Sequence, residues 1–325
     1  MTKTRSKICA VVVTYNRKDS LVDCLAAIQE QTYKPHTVVI VDNSSTDGTL
    51  DLVKAKGYYE SVTNEINFKY LLLPNNEGGA GGFYNGMRFA YESNERFDAI
   101  WVMDDDGVPD SKQLECLMTY FSEHDLLAPL VLSLDDSSRL AFNYKGECNA
   151  KKVLSENVEL IEGYSCPFNG MLYSRRLIED IGYPIPNLFL WGDECNYDMR
   201  ARKAGYNPVT ILSAIHRHPS DRMTFGRSIW GKSVVVVPSK WKGYCYWRNF
   251  VYNNKDTMSI RGLVSFYIYN SWYYLKERGF SWFLCFNDAF FSGFKKEPDK
   301  GYLRYMQDSL NSSSKKKKPV FYEIK

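Results

Sequence analysis

Apolar and polar positions follow two alternating periods along the first half of the chain. Residues 7–15 form a β-branched apolar run typical of a buried parallel strand, and residues 17–31 then repeat apolar positions at helical spacing. Further strand-like runs at 36–42, 68–73 and 97–104 are each followed by a helix-like segment. Because alternating strands and helices favour parallel pairing, the pattern predicts an α/β fold with a mostly parallel central sheet flanked by helices.

The second half of the chain has a different pattern. Strand-like segments at 127–133 and 207–218 surround a helix predicted from Asp193 to Gly205, which has acidic residues first and basic residues last. Beyond residue 241 the pattern is helical and rich in aromatic residues. We therefore predict an α/β domain over residues 1–240 and a helical C-terminal region over residues 241–325 that ends in a basic tail.

Composition limits the class of protein. A hydrophobic share of 44% supports a sizeable core, and a net charge of +3 over 325 residues is too small to predict nucleic-acid binding. We find no signal-peptide pattern and no apolar run of the ~18 residues that a membrane span needs. The eight cysteines are scattered, which is typical of reduced thiols in a cytoplasmic protein. The oligomeric state stays open.

Chemically distinctive residues follow the ends of the predicted strands. In parallel sheets, ligands bind beyond the carboxyl ends of the strands, so these positions are candidates for a site. They are Thr14, Tyr15, Asn16 and Arg17 after the first strand, Asp42 after the second, Asn76, Gly78, Gly79, Gly81 and Gly82 after the third, and Asp104, Asp105 and Asp106 after the fourth.

The three consecutive aspartates suggest a cation site. Side chains alternate along a strand, so Asp104 and Asp106 point the same way and their repulsion needs a cation to offset it. Mg²⁺ and Mn²⁺ prefer oxygen ligands, and Mg²⁺ sites commonly combine one or two carboxylates with substrate phosphates. The alternative is a solvated acidic turn before Pro109; the preceding apolar strand favours a metal or nucleotide site.

Two glycine-containing motifs need separate treatment. Four of the five residues at 78–82 are glycine, which lets the backbone approach a ligand closely, although a flexible loop is the alternative. The dinucleotide-binding spacing fails because Tyr84 stands where a glycine is needed. Residues 226–233 match a phosphate-binding loop by letters alone, but a strand-like segment follows instead of a helix, so we reject that interpretation.

A second group of polar residues lies near the end of the predicted α/β domain. Asp193 and Glu194 occupy the first turn of a predicted helix, where they are either catalytic or simply capping residues. His216 and His218 share one face of a strand and could complete a metal site, although a histidine is often structural.

Together these motifs resemble family 2 glycosyltransferases, which share the GT-A fold. The matching segments are "VVVTYNR", "VDNSSTDGT", "NNEGGAGGFYNG", "DDDG", "WGDE" and a downstream histidine, over roughly residues 7–255. The form with "GGAGG" before "DDD" is most similar to bacterial galactofuranosyltransferases, whose donor is UDP-galactofuranose. Rhamnosyltransferases that use dTDP-rhamnose are close relatives.

The resemblance implies roles for individual residues. Residues 14–17 and Asp42 would hold the uridine, and Glu194 would be the catalytic base, with Asp193 binding the acceptor hydroxyl or making a structural hydrogen bond. Asp104 and Asp106 would bind the metal and diphosphate with His218, or with His216 in its place. The remaining substrate-binding positions are Asn76, Gly78, Gly79, Gly81, Gly82, Asp105 and Trp191.

The implied activity is inverting, metal-dependent transfer of a sugar, with Mn²⁺ or Mg²⁺ as cofactor. The nucleotide-sugar donor would be UDP-galactofuranose, and the acceptor a hydroxyl of a growing bacterial cell-surface glycan, free or lipid-linked. A sugar-nucleotide nucleotidyltransferase and a non-catalytic carbohydrate-binding protein are the alternatives from other classes. The lysines at 315–318 predict attraction to the anionic inner face of the cell membrane, unless the tail only solubilises the chain.

Overall fold

The computed structural model describes residues 5–155, 158–220 and 223–307 and forms two compact units. The first unit extends to Pro186 and resumes at Asp193, and the second comprises Asn187–Gly192 and the chain from Met223 onward. The domain boundary at residue 240 stays a prediction, and the basic tail at 315–318 lies outside the described residues.

A mixed sheet of twelve strands forms the centre of the first unit. β1, β2, β4 and β5 pair in parallel, as do β7 and β12, while β11 enters antiparallel between β5 and β7. The strands are β1 Ile8–Thr14, β2 Thr37–Asp42, β3 Ser61–Thr63, β4 Ile66–Leu72, β5 Ala99–Asp104, β6 Val108–Pro109, β7 Leu126–Ser133, β8 Arg139–Tyr144, β9 Glu147–Asn149, β10 Leu160–Glu162, β11 Asn169–Ser174 and β12 Val209–His218.

Helices cover both faces of this sheet, as the sequence predicted. They are α1 Lys18–Gln29, α2 Thr49–Ala55, α3 Gly78–Glu92, α4 Gln113–Thr119, α5 Ala150–Leu154, α6 Arg175–Ile181 and α7 Asp193–Lys203. Successive residues of β1 enter opposite cores: Val12 packs with residues of α1 and α4, and Val11 with residues of α3 and α7. This two-sided burial explains why β1 is apolar at almost every position.

The second unit has its own aromatic core. It contains the hairpin of β13 Thr224–Arg227 and β14 Ser233–Val236, helices α8 Lys240–Asn254, α9 Ile260–Tyr273 and α10 Phe280–Ser292, and a π-helical segment Tyr274–Arg278. The hairpin spans residues 226–233, so the rejection of a phosphate-binding loop there is confirmed. Among the described helices, none has the length and hydropathy to cross a bilayer.

Candidate active site

The predicted site residues of the first unit meet at one edge of its sheet. In the parallel register, Thr14 of β1 lies opposite Asp42 of β2, and Val13 lies opposite Asp104 of β5. The backbone amide of Asp105 donates to the carbonyl of Val13 over 3.1 Å, which extends the pairing past the end of β5. The loops after β1 and β5 are therefore held side by side.

Arg17 and Thr14 contact the acidic triplet directly. The hydroxyl of Thr14 donates to Oδ2 of Asp105 at 2.7 Å, and the guanidinium of Arg17 lies 3.1 Å from Oδ1 of the same residue. Arg17 also forms a salt bridge with Asp106. Asp105 and Asp106 are only 2% and 6% exposed, whereas the Arg17 side chain is 46% exposed. The guanidinium of Arg17 is thus shared between two buried carboxylates.

The electrostatics of the triplet show an excess of negative charge. Burial, and then the neighbouring carboxylates of Asp106 and Asp105, raise the pKa of Asp104 well above its usual range. Burial also raises the pKa of Asp105 to about 6, although the Arg17 guanidinium opposes the rise. The single charge of Arg17 does not neutralise the cluster, so the site favours an additional cation.

The short strand β6 brings His218 to the triplet. β6 pairs with β12 so that Val108 lies opposite Arg217, and this register places the preceding Asp106 beside His218. His218 Nε2 and Asp106 Oδ1 are 3.3 Å apart. Arg217 fixes the pairing through two hydrogen bonds to Asp110, of 2.8 and 3.1 Å.

His216 has a different environment from His218. It is fully buried, and its Nδ1 lies 3.0 Å from Oε1 of Gln113, whose Nε2 donates to the carbonyl of Gly170. Burial, followed by the charge of His218, lowers the pKa of His216 to about 3, so its imidazole stays neutral. Gln113 was not identified from the sequence, where no pattern distinguishes it from other helical glutamines.

The glycine cluster forms the first turn of α3 and not a free loop. A Cβ at Gly82 would lie 2.4 Å from Cγ1 of Val13, so this glycine allows the helix to approach β1 closely. A Cβ at Gly79 would instead meet Asp193 Oδ2 at 3.7 Å. Gly79 thus faces a predicted catalytic side chain, and Gly82 has a packing role in addition to any ligand contact.

Two asparagines hold the start of this helix. The Asn43 side chain accepts from the amide of Glu77 and donates to the carbonyl of Gly78, each at 3.2 Å. Asn76 Oδ1 accepts from the amide of Gly78 at 2.8 Å. Asn76 was predicted as a site residue. Asn43 directly follows Asp42 at the end of a strand, but the sequence analysis assigned it no role.

The loops beyond β1 and β2 form the neighbouring part of the edge. Asn16 Oδ1 accepts from the amide of Thr46 at 2.7 Å, and Asp42 Oδ1 accepts from the amide of Ser45 at 2.8 Å. The Tyr70 hydroxyl donates to the other oxygen of Asp42, an interaction that the sequence did not predict. Tyr15 is 44% exposed, which leaves its ring available for stacking.

Asp193 and Glu194 begin α7, as predicted. Asp193 is 5% exposed, and burial raises its pKa well above the usual range, with the Glu194 carboxyl adding to the rise through its charge and a hydrogen bond. The Asp104 charge contributes to the same rise. Asp193 and Glu194 therefore interact electrostatically with the triplet. Their surroundings differ, because Asp193 is buried and Glu194 is partly exposed.

The loop that leads into α7 is fixed within the second unit. The side-chain amide of Asn249 donates to the carbonyls of Leu188, Leu190 and Trp191, at 2.9, 3.1 and 2.7 Å respectively. Asn249 is fully buried. Trp191 has a left-handed backbone with φ of 59°, which this network holds in place. The predicted substrate-binding role of Trp191 stays a prediction.

The donor atoms fit a divalent cation that shares its coordination with a substrate. No group of three or more histidine, cysteine or acidic side chains is arranged around a metal position within the described residues. Adjacent ligands of an octahedral ion with bonds of ~2.1 Å are about 3 Å apart, close to the Asp106–His218 separation. Such an ion would take its other oxygens from water or phosphate.

Comparison with known proteins identifies the family. Residues 9–182, more than half of the chain, match the family model for glycosyl transferase family 2. The chain belongs to glycosyl transferase family 2. This chain is 30% identical to galactofuranosyltransferase GlfT1 of Mycolicibacterium smegmatis over 283 residues, which cover 83% of this chain and 90% of the relative. Family membership makes the protein a glycosyltransferase and disfavours both alternatives from other classes.

Solved structures of other glycosyltransferases share the fold of this family 2 enzyme. The S. aureus TarS structure of residues 1–349 has 17% identity and a TM-score of 0.52, and the match covers 84% of this chain and 73% of the chain in that structure. Mannosyltransferase PcManGT of Pyrobaculum calidifontis, in complex with GDP-Man and Mn²⁺, has 15% identity and a TM-score of 0.53. The match covers 97% of this chain and 82% of the mannosyltransferase chain. The predicted GT-A fold is confirmed.

Proposed function

We propose that this glycosyltransferase moves galactofuranose from UDP-galactofuranose to a hydroxyl of a growing bacterial cell-surface glycan, with inversion at the anomeric carbon. The similarity to a mycobacterial galactofuranosyltransferase over most of both chains supports galactofuranose as the transferred sugar. Within the molecule, the proposal rests chiefly on the acidic edge of the sheet, where buried carboxylates and His218 adjoin the start of α7.

The donor would bind along the carboxyl edge of the sheet. Tyr15 and the loops held by Asn16 and Asp42 would receive the uridine, because they present an exposed ring and fixed polar groups. The diphosphate would lie toward the triplet. Asp106 and His218, with Asp104, would hold a Mn²⁺ or Mg²⁺ ion, which when bound offsets the charge that develops on the departing UDP.

Glu194 would act as the general base. Consecutive residues on a helix diverge by about 100°, so Asp193 and Glu194 cannot both face one acceptor hydroxyl. Asp193 is buried with a raised pKa and serves better as a hydrogen-bonding group. Glu194 is the less buried of the two and would take the proton as the hydroxyl attacks the anomeric carbon.

A donor screen tests this function. Purified enzyme with Mn²⁺ is offered UDP-galactofuranose, UDP-galactopyranose and dTDP-rhamnose, and the released nucleotide diphosphate is measured with and without lipid-linked glycan acceptors. We expect turnover with UDP-galactofuranose. Preferred release of dTDP would instead establish a rhamnosyltransferase, and stereochemical analysis of the product would test inversion.

Variants of the acidic pair test the mechanism. Glu194→Gln should lower kcat by about 10²–10⁴-fold with little change in UDP affinity, because general-base catalysis usually contributes that factor. Asp193→Asn is the matched control and should lower kcat less. An inactive Asp193→Asn enzyme alongside an active Glu194→Gln enzyme would exchange the two roles.

We place the enzyme in the cytoplasm, at the inner face of the cell membrane, where lipid-linked acceptors are found. The proposed residence is peripheral. Within the described residues, no helix has the length and hydropathy to span a bilayer. The lysines at 315–318 provide one source of attraction to anionic lipid.

A further inference from the structure

Helix α9 has two apolar faces, of which only one packs within the second unit. Leu263 of α9 and Tyr274, the first residue of the π-helical segment that follows, are buried in the unit. The other face carries large apolar side chains at intervals of four residues and continues to Leu275. Its members are Ile260, Val264, Ile268, Trp272 and Leu275, which are 80%, 49%, 40%, 48% and 47% exposed. A helix that only stabilised a soluble core would carry polar residues there.

Helix α10 repeats this arrangement. Phe286 and Ala289 are fully buried, whereas Phe280, Leu284 and Phe291 are 63%, 50% and 61% exposed. These three positions lie within about 40° of one another around the helix axis, given 3.6 residues per turn. They form an apolar stripe along one side of the helix, which the half-buried Asn287 interrupts between Leu284 and Phe291.

The two stripes adjoin each other. Tyr267 of α9 donates its hydroxyl to Asn287 of α10 at 2.6 Å, and its ring centroid lies 6.2 Å from that of Phe291. Val264, three residues before Tyr267, is its neighbour on the surface of α9. We call the exposed apolar residues of α9 and α10, with Leu275 between them, the apolar face.

The segment that carries the apolar face also carries exposed basic residues, which we call the basic border. Residues 260–296 contain five basic and two acidic side chains. All five basic residues are exposed, namely Arg261, Lys276, Arg278, Lys295 and Lys296. Apolar and aromatic side chains beside lysine and arginine are the chemistry of helices that lie in the membrane interface, with the apolar side among the acyl chains. Basic residues near the surface are attracted to an anionic leaflet, and Glu277 and Asp299 offset part of the charge of Lys276 and Lys295.

We propose that the apolar face docks this enzyme on an anionic lipid bilayer. A bilayer supplies both an apolar phase for Trp272 and its neighbours and negative headgroups for the border. A second copy of the chain fits less well, because it would bring two basic borders together. This inference extends the proposed membrane residence of the enzyme and concerns binding, so it is tested separately from sugar transfer.

The test is flotation of the full-length protein with vesicles of phosphatidylglycerol and phosphatidylcholine in equal amounts. Ile268→Ser/Trp272→Ser should lower the partition coefficient about tenfold or more, because two apolar side chains no longer enter the bilayer. Val62→Ser/Leu72→Ser is the control, since these exposed apolar side chains lie in the first unit. It should bind like the parent.

Companion measurements separate the outcomes. The melting temperature and UDP-galactofuranose hydrolysis of Ile268→Ser/Trp272→Ser should match the parent, because both side chains are substantially exposed. Parent-like flotation of this variant, or no flotation of the parent, overturns the proposal. The proposal is also overturned if the parent is a dimer and the two substitutions convert it to a monomer, because the apolar face would then bind a second copy of the chain. If the parent does not hydrolyse UDP-galactofuranose but still floats with the vesicles, the proposed donor is refuted and the docking result remains valid.

Discussion

Replacing Arg17 by methionine removes the guanidinium group that contacts both Asp105 and Asp106. Methionine keeps an unbranched side chain of similar reach but carries no charge. The two carboxylates are nearly inaccessible to solvent, so in the variant they face each other and Asp104 without this cation. We expect the variant to be less stable than the parent when no divalent metal is present.

The size of this effect follows from burial. Removing one partner of a fully buried ion pair costs roughly 3–5 kcal/mol, and an exposed pair is worth about 0.2–1 kcal/mol. Because the Arg17 side chain is 46% exposed, water can enter where it stood, and the expected loss is about 1–2 kcal/mol. For a unit of this size, that corresponds to a decrease in Tm of roughly 2–8 °C.

Thermal unfolding in EDTA and then in Mn²⁺ measures both parts of this prediction. In EDTA, Arg17→Met should melt below the parent, and Mn²⁺ should raise its Tm more than that of the parent, because the ion replaces the missing charge. Arg88→Met is the control, since Arg88 forms an exposed pair with Glu92 at 3.3 Å and should change the Tm little. An unchanged Tm in EDTA, or an equal Mn²⁺ effect on both proteins, would refute this electrostatic reasoning.

Three further predictions concern stability and positioning. Folding raises the pKa of Asp105 from ~3.9 to about 6, so ionisation of this carboxyl costs stability as the pH rises through that range. Urea unfolding in EDTA should therefore show that Asp105→Asn is more stable than the parent by about 1–3 kcal/mol near pH 7.5 and differs little from it near pH 4. Asn249→Ala removes the side-chain donor of the Leu190 and Trp191 carbonyls and should lower kcat for UDP-galactofuranose hydrolysis at least about tenfold, while calorimetry shows an unchanged UDP affinity. Gly82→Ala should cost about 1–3 kcal/mol in urea unfolding because its Cβ would overlap Val13, and Gly79→Ala, which meets only an ordinary contact, should cost less.

The parallel core and the position of the site could be predicted because both depend on local patterns. The apolar runs that became β1 and β5 are buried on both faces, and polar residues directly follow each strand. Thr14 and Asp105 lie far apart in the chain, but parallel pairing brings any two strand ends together. The pattern therefore indicated their proximity without any knowledge of the contact itself.

Long-range partners could not be predicted in the same way. β6 has two residues, too few for a periodicity, yet its pairing with β12 brings Asp106 to His218. The difference between the two histidines depends on Gln113, a contact across 103 residues that leaves no sequence pattern. Burial likewise distinguishes Asp193 from Glu194 only after folding, since both are acidic residues in one helical turn.

Transfer of galactofuranose by the parent enzyme, compared with Asp106→Asn, is the most direct test of the proposed activity. The assay measures UDP release from UDP-galactofuranose with Mn²⁺, with product mass confirming one added hexose on a lipid-linked glycan acceptor. We predict turnover by the parent and loss of at least about 10²-fold in the variant, because Asp106 would hold the cation that stabilises the departing UDP. Equal turnover by the two proteins, or no turnover of this donor where another sugar nucleotide is consumed, would contradict the proposal.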